Sequence, residues 1–181
     1  MLHLKNITAG NPKTAEQYQL TKQYDVTWLF SEDGKNWYEE QKNFASDTIK
    51  MVYTGDGRVV WVGKDVTGIE PRNASVIEVP DITANRRITV PGYWFYRDDK
   101  FVFDYKLKAE DERDALLKQV SIMTSEWEKD LLLGLISDED REKLKAYRIY
   151  AKSLQAMDFS TIADKTSYNA IEWPVSPEAS S

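Results

Sequence analysis

The sequence predicts an α+β protein: a mainly antiparallel β N-terminal domain of hairpins, followed by a C-terminal α-helical hairpin. Before residue 107, apolar residues alternate in short runs separated by Gly, Pro and Asp. After it, apolar residues recur at the three- and four-residue spacing of a helix. We therefore divide the 181 residues into a β-rich domain at 1–106, a helical hairpin at 107–157 and a C-terminal tail at 158–181.

The first predicted hairpin surrounds the turn at 32–35, whose Asp-Gly pair is typical of tight turns. Val26, Trp28 and Phe30 alternate before this turn, and Trp37 would begin the returning strand. Further predicted strands lie at residues 49–54, 58–62, 75–79, 93–96 and 101–103. Such short strands with turns between them predict a meander of antiparallel sheets, while residues 14–22 fit either a short helix or a loop.

Two amphipathic helices are predicted in the C-terminal part. The stripe of the first consists of Leu116, Val120, Met123, Trp127 and Leu131. We expect the acidic residues 110–112 in its first turn and Gly134 at its end. Ser137 is the expected N-cap of the second helix, whose stripe consists of Leu144, Tyr147, Ala151 and Leu154. The short connection predicts that the two helices pack antiparallel.

The composition argues against most kinds of reactive site. The chain has no cysteine, one histidine (His3) and no glycine-rich phosphate-binding loop, so we expect no catalytic residues, no metal and no cofactor. Acidic clusters such as Asp98-Asp99 lie at turns and helix starts, where negative charge has a structural role. The net charge of −6 disfavours nucleic-acid binding, and no apolar stretch is long enough to span a membrane. A cytoplasmic binding protein is therefore the expected class.

Several segments resemble the tail fibre assembly proteins of tailed bacteriophages and prophages. The resemblance covers most of the chain and is carried by residues 3–7, 11–21, 28–40, 48–50, 79–87 and 172–177. It implies an assembly chaperone without a cofactor, which binds the C-terminal region of a trimeric tail fibre protein and promotes its folding and trimerisation. It also implies action in the host bacterial cytoplasm, with retention on the fibre tip in some members.

Candidate partner-binding residues follow from the aromatic content and from this resemblance. Trp28, Trp37 and Tyr38 are the predicted aromatic anchors for the fibre, although Trp28 fits a core position equally well. Asn85, Arg86 and Arg87 lie in the matching segment, and the arginines could donate hydrogen bonds to fibre carbonyls or carboxylates.

A second candidate surface lies at the tip of the helical hairpin. Leu132, Leu133, Leu135 and Ile136 make this tip more apolar than contact between two helices requires. We therefore expect the free protein to be a homo-oligomer that associates through these residues.

Two other functions remain open on the sequence. An aromatic-rich β domain on a fibre tip could bind a cell-surface glycan as an adhesin, alone or in addition to a chaperone role. A glycan-cleaving enzyme is disfavoured because no pair of carboxylates is identifiable as its site.

Overall fold

This computed structural model describes residues 1–180, and side chains as far as residue 178. The residues form two compact units, Met1–Phe103 and Asp104–Ser181, of which Ser181 lies outside the described part. The N-terminal unit contains β1 (His3–Gly10), α1 (Ala15–Tyr24), β2 (Trp28–Phe30), α2 (Trp37–Glu40), β3 (Ile49–Thr54), β4 (Val59–Gly63), β5 (Ala74–Val79), α3 (Thr83–Arg86), β6 (Trp94–Arg97) and β7 (Lys100–Phe103). The C-terminal unit contains α4 (Tyr105–Leu133), α5 (Asp138–Gln155) and α6 (Lys165–Asn169). The predicted α+β class is confirmed.

Five strands form one antiparallel sheet in the order β2-β1-β5-β3-β4, and β6 and β7 form a separate two-stranded sheet. The hairpins β3–β4 and β6–β7 and the strand β5 occur where the sequence predicts them. The order is not sequential, because β1 inserts between β2 and β5 and pairs Leu4 with Val76. A purely local reading could not place β1 there, since its partner is far along the chain.

Both faces of the five-stranded sheet are buried. On one face, Leu4, Val52 and Val76 belong to a core cluster with Trp37. The opposite face carries a second cluster, to which the β6–β7 hairpin contributes Trp94. Burial on both faces explains why the interior strands β3 and β5 are almost continuously buried.

The predicted first hairpin is only partly formed. The turn exists, with Gly34 at a positive φ of 83°. Phe30 and Asn36 then form one isolated bridge, and the chain enters the helix α2 instead of a returning strand. The reason is that the Asn36 side chain caps α2 by accepting a hydrogen bond from the Tyr38 backbone N–H at 2.9 Å. In contrast, the undecided segment 14–22 forms the helix α1, capped by Thr14.

The helices α4 and α5 form the predicted hairpin. Gly134 ends α4 in the left-handed conformation, and Ser137 caps α5, as predicted. The start of α4 differs from prediction: its cap is Asp104, so residues 110–112 lie beyond the first turn. Buried residues of the hairpin core are Val120, Tyr147, Tyr150 and Leu154.

Of the two predicted apolar stripes, that of α5 is buried over most of its length, whereas the stripe of α4 is buried only in part. Met123 and Leu131 of α4 are exposed. The C-terminal segment contributes Trp173, which packs on the same cluster, and Phe159, whose ring contacts that of Trp173.

Candidate functional site

A surface groove of about 320 Å³ in the N-terminal unit contains two of the predicted binding residues. We call it the β6–β7 groove; residues of β5, α3 and the β6–β7 hairpin line it. Ile77 and Val79 lie on the same face of β5, because side chains two apart on a strand point the same way. Trp94 and Phe101 complete the apolar part of the lining.

Asn85 and Arg86 are held by the segment that precedes them. The Asn85 side-chain amide donates to the Pro80 carbonyl at 2.9 Å. Arg86 Nε donates to Asp81 Oδ1 at 2.7 Å, and its Nη2 donates to the Asp81 carbonyl at 3.1 Å. Lys64 also pairs with Asp81 at 2.7 Å. The hydrogen bonds from Arg86 and Lys64 lower the pKa of Asp81 from 3.8 to about 2.

Arg87 differs from its neighbour. Its guanidinium lies 5.3 Å from the centre of the Trp94 ring, a cation–π contact, and it lines the groove. Within residues 1–178, neither Arg87 nor Lys100, the second cation of the groove, has an ion-pair partner. The two adjacent arginines therefore have different roles: Arg86 is occupied within the chain, while Arg87 is available to a ligand.

One carboxylate, Asp99, also lines the groove, and it is engaged. The Tyr96 hydroxyl donates to Asp99 Oδ1 at 3.1 Å. Burial, together with the hydrogen bond to Asp99 and its charge, raises the pKa of Tyr96 to about 12, so the hydroxyl keeps its proton. With Arg87, Lys100 and Asp99, the rim has a formal charge of +1.

The aromatic anchors predicted near residue 30 require a correction. Trp28 is 8% exposed and donates its indole N–H to Thr21 Oγ1 at 2.8 Å, and Trp37 is fully buried in a core cluster. Both side chains are core residues, because β2 and α2 direct them inward. Tyr38 alone is exposed, at 39%, with its hydroxyl donating to the Thr27 carbonyl at 3.1 Å.

The hairpin tip also differs from the predicted set in one residue. Leu132, Leu133 and Leu135 are exposed, at 87%, 71% and 71%. Ile136 is only 9% exposed, because the chain turns inward after Gly134, and the Ile136 N–H donates to the Asp130 carbonyl. The exposed leucines form what we call the leucine tip, which also includes Leu131.

Sequence reasoning missed Lys100, Tyr96 and Asp99 as groove residues. A usable signal existed, since the Asp98-Asp99 turn fixes the register that places Tyr96 opposite Phe101. What the sequence could not supply was the packing of this hairpin against β5 and α3.

The described residues offer no sign of two other kinds of site. Within them, no three His, Cys, Asp or Glu side chains are grouped so as to hold a metal ion. None of the described helices combines the length and the apolar character needed to cross a membrane.

Comparisons with known proteins identify the family. Residues 39–178 match the model described as Caudovirales tail fibre assembly protein, lambda gpK. The chain is 50% identical to tail fiber assembly protein U' of Escherichia phage Mu, over 90% of this chain and 95% of that protein. It is 48% identical to the protein of the same name in Escherichia phage P1, over the same shares of the two chains. It is 41% identical to the probable tail fiber assembly protein of Escherichia phage P2, over 98% of this chain and the whole of that protein. The chain therefore belongs to the tail fibre assembly protein family of tailed phages.

Proposed function

We propose that this protein is a chaperone that binds the distal, C-terminal region of a phage tail fibre protein and promotes its folding and trimerisation. The single observation that carries the proposal is the family membership, with relatives named for tail fibre assembly at 41–50% identity over most of the chain. The proposed place of action is the host bacterial cytoplasm during virion assembly, followed by retention on the fibre tip.

The N-terminal unit is the proposed fibre-binding part. Its β6–β7 groove offers an apolar lining beside two cations that have no ion-pair partner among the described residues. Of the predicted contact residues, Asn85 and Arg87 line this groove, and Tyr38 is exposed elsewhere on the unit. Arginine and aromatic side chains in such a setting are enriched at protein interfaces.

The leucine tip is the proposed site of self-association. Three leucines exposed by 71% or more, at the end of α4 and in the turn after it, form an apolar surface whose contact with water is unfavourable. A second copy of the chain is the proposed occupant, because the tip adjoins a groove lined by Leu131, Leu132 and Leu144, and the tip of another copy offers leucines to fill it.

Co-expression with the tail fibre gene of the same genome tests the fibre-binding proposal. We expect the fibre to reach a soluble trimer only when this chain is present, and the two to co-purify. Analytical ultracentrifugation and affinity capture give the two readouts. A fibre that trimerises equally well alone, and is never captured, would refute the chaperone proposal, whereas glycan-array binding without fibre capture would favour an adhesin.

Sedimentation of the free protein tests the self-association proposal. We expect a concentration-dependent oligomer at tens of micromolar, shifted to monomer by Leu132→Ser with Leu133→Ser. The double variant Lys42→Ser with Lys118→Ser is the matched control, because both lysines are exposed and lie outside the tip. A wild-type protein that sediments as a monomer would contradict the proposal.

A further inference from the structure

Two adjacent arginines, Arg86 and Arg87, have different functions: the first is structural, and the second lines the β6–β7 groove and can bind a ligand. Arg86 has its carboxylate within the chain, at Asp81, and that ion pair fixes the segment after β5. Arg87 extends over Trp94 without a carboxylate partner among the described residues. A guanidinium stacked on an aromatic ring keeps its N–H edge available for a planar acceptor such as a carboxylate.

The second cation, Lys100, lines the same groove from the first residue of β7. It too lacks an ion pair within residues 1–178. The only acidic side chain in the lining, Asp99, already accepts the Tyr96 hydroxyl. The groove therefore has an excess of one positive charge, which favours an anionic group from outside.

The surroundings of the two cations favour a polypeptide as the source of that group. Ile77, Val79 and Phe101 give the groove an apolar surface suited to an aliphatic or aromatic side chain. Phe101 and Lys100 belong to β7, which pairs with β6 on one side and with no other described strand. An edge strand offers backbone donors and acceptors to an extended peptide, and a sugar cannot use these in the same regular way.

We infer that the β6–β7 groove binds an acidic side chain of the fibre polypeptide, held by Arg87 and Lys100, with an adjacent apolar residue of the fibre against Ile77 and Phe101. This inference rests on the proposed fibre-binding function and specifies its chemistry. Arg87 supplies two parallel N–H donors to the carboxylate, and Lys100 supplies a point charge.

Charge reversal tests the inference in the full-length chain. Arg87→Glu and Lys100→Glu are each measured for binding to the C-terminal fragment of the tail fibre from the same genome, by affinity capture and by titration at low and physiological salt. We expect each to weaken binding about tenfold or more, as loss of an interfacial charge partner does. Lys42→Glu makes the same change of charge at an exposed lysine outside the groove and should bind as wild type.

The partner side of the test uses fibre variants in which each acidic residue of the C-terminal fragment is replaced by Lys in turn. One of these is expected to restore binding to Arg87→Glu while binding wild type poorly. Arg87→Lys keeps the charge but loses the paired donors, so its affinity should be intermediate. Thermal unfolding of each variant separates a lost contact from a lost fold, and Lys100, which is exposed, provides the variant least able to disturb folding.

Three outcomes distinguish the possible failures. If wild type captures the fibre and both charge-reversed variants capture it equally well, the groove is not the acidic-residue site, although fibre binding stands. If wild type does not capture the fibre, the proposed function itself fails. If Arg87→Glu abolishes binding to an acidic glycan and leaves fibre capture unchanged, the groove is a sugar site and the inference is overturned.

Discussion

Replacing Glu78 by Gln is expected to destabilise the N-terminal unit strongly, although the change removes only a charge. Glu78 lies on β5 and is 6% exposed. Its Oε2 accepts the Leu2 backbone N–H at 2.9 Å, while its Oε1 accepts the Ala45 N–H and the Thr48 hydroxyl, both at 2.7 Å. One carboxylate thus ties the beginning of β1 and the loop before β3 to the middle strand of the sheet.

The size of the effect follows from these three hydrogen bonds. A glutamine oxygen at the Oε1 position can keep two of them, but its NH₂ group then faces the Leu2 N–H, donor against donor. A hydrogen bond to a charged group contributes about 1.5–3 kcal/mol, and a buried donor left unsatisfied costs a further ~1–3 kcal/mol. We therefore expect a loss of about 2.5–6 kcal/mol, or a fall in Tm of roughly 10–45 °C for a unit of this size.

The assay is calorimetry and urea unfolding of wild type, Glu78→Gln and the matched variant Glu70→Gln. Glu70 pairs with Arg72 at 2.6 Å, but its side chain is 52% exposed, so its loss should cost less than about 0.5 kcal/mol. Equal stabilities of the two variants would refute the reasoning, because the geometry of Glu78 would then contribute nothing beyond an exposed ion pair.

The pH dependence gives a second readout of Glu78. Burial alone would raise its pKa, but the hydrogen bonds from Leu2, Thr48 and Ala45 lower the pKa below the usual 4.5. A carboxylate with a lowered folded-state pKa stabilises the protein above its unfolded pKa and loses that contribution as the pH falls through the folded value. The difference between wild type and Glu78→Gln should therefore narrow below pH 4.5. A difference that stays constant down to pH 2 would contradict this assignment.

Three further predictions concern other parts of the molecule. Gly57→Ala should lower the free energy of unfolding by ~1–3 kcal/mol, because Gly57 has a φ of +89° and a Cβ there would lie 2.5 Å from the Tyr96 carbonyl oxygen. Gly55→Ala is the control, since a Cβ at Gly55 meets no atom within 4 Å, and the urea midpoints of the two variants are compared. Leu154→Ala removes a fully buried side chain from the helical hairpin and should cost about 2–5 kcal/mol by urea unfolding, and a loss below about 1 kcal/mol would show that this core is loosely packed. Asp81 should titrate near pH 2 by carboxyl NMR. Its contribution to stability is then fully present above pH 3.8 and is lost as the pH falls through about 2. A titration at pH 3.8 or higher would mean that its ion pairs are absent in solution.

The parts of the fold that local chemistry determines could be predicted from the sequence. The β6–β7 turn places Asp98 and Asp99 at positive φ, as a two-residue hairpin turn requires, and Gly134 ends α4 in the left-handed conformation. The position of β1 could not be predicted, because its register with β5 depends on contacts between residues far apart in sequence. Trp37 shows a different limit: its position after the turn at 32–35 fits a returning strand, but the side-chain cap from Asn36 favours a helix.

The candidate site was predictable in composition and not in arrangement. The sequence placed Asn85, Arg86 and Arg87 together in one segment. Which arginine is free depends on the side-chain geometry of α3, which directs Arg86 to Asp81 and Arg87 over Trp94. Trp28 and Trp37 are the converse case, since aromatic residues suit both an interface and a core, and only burial separates the two.

The interior position of β1 has a consequence for synthesis on the ribosome. The first strand has Leu4 opposite Val76 of β5, so the sheet cannot be completed before residue 79 has left the exit tunnel. Until then the residues of β1 that pair with β5 lack that strand, and only β2, which pairs with the end of β1, is available to them. Pairing over such a separation is slow compared with the formation of α4 and α5, whose contacts are local. During translation, β1 therefore remains incompletely paired until β5 emerges, whereas α4 and α5 can pack on each other as soon as both have left the tunnel.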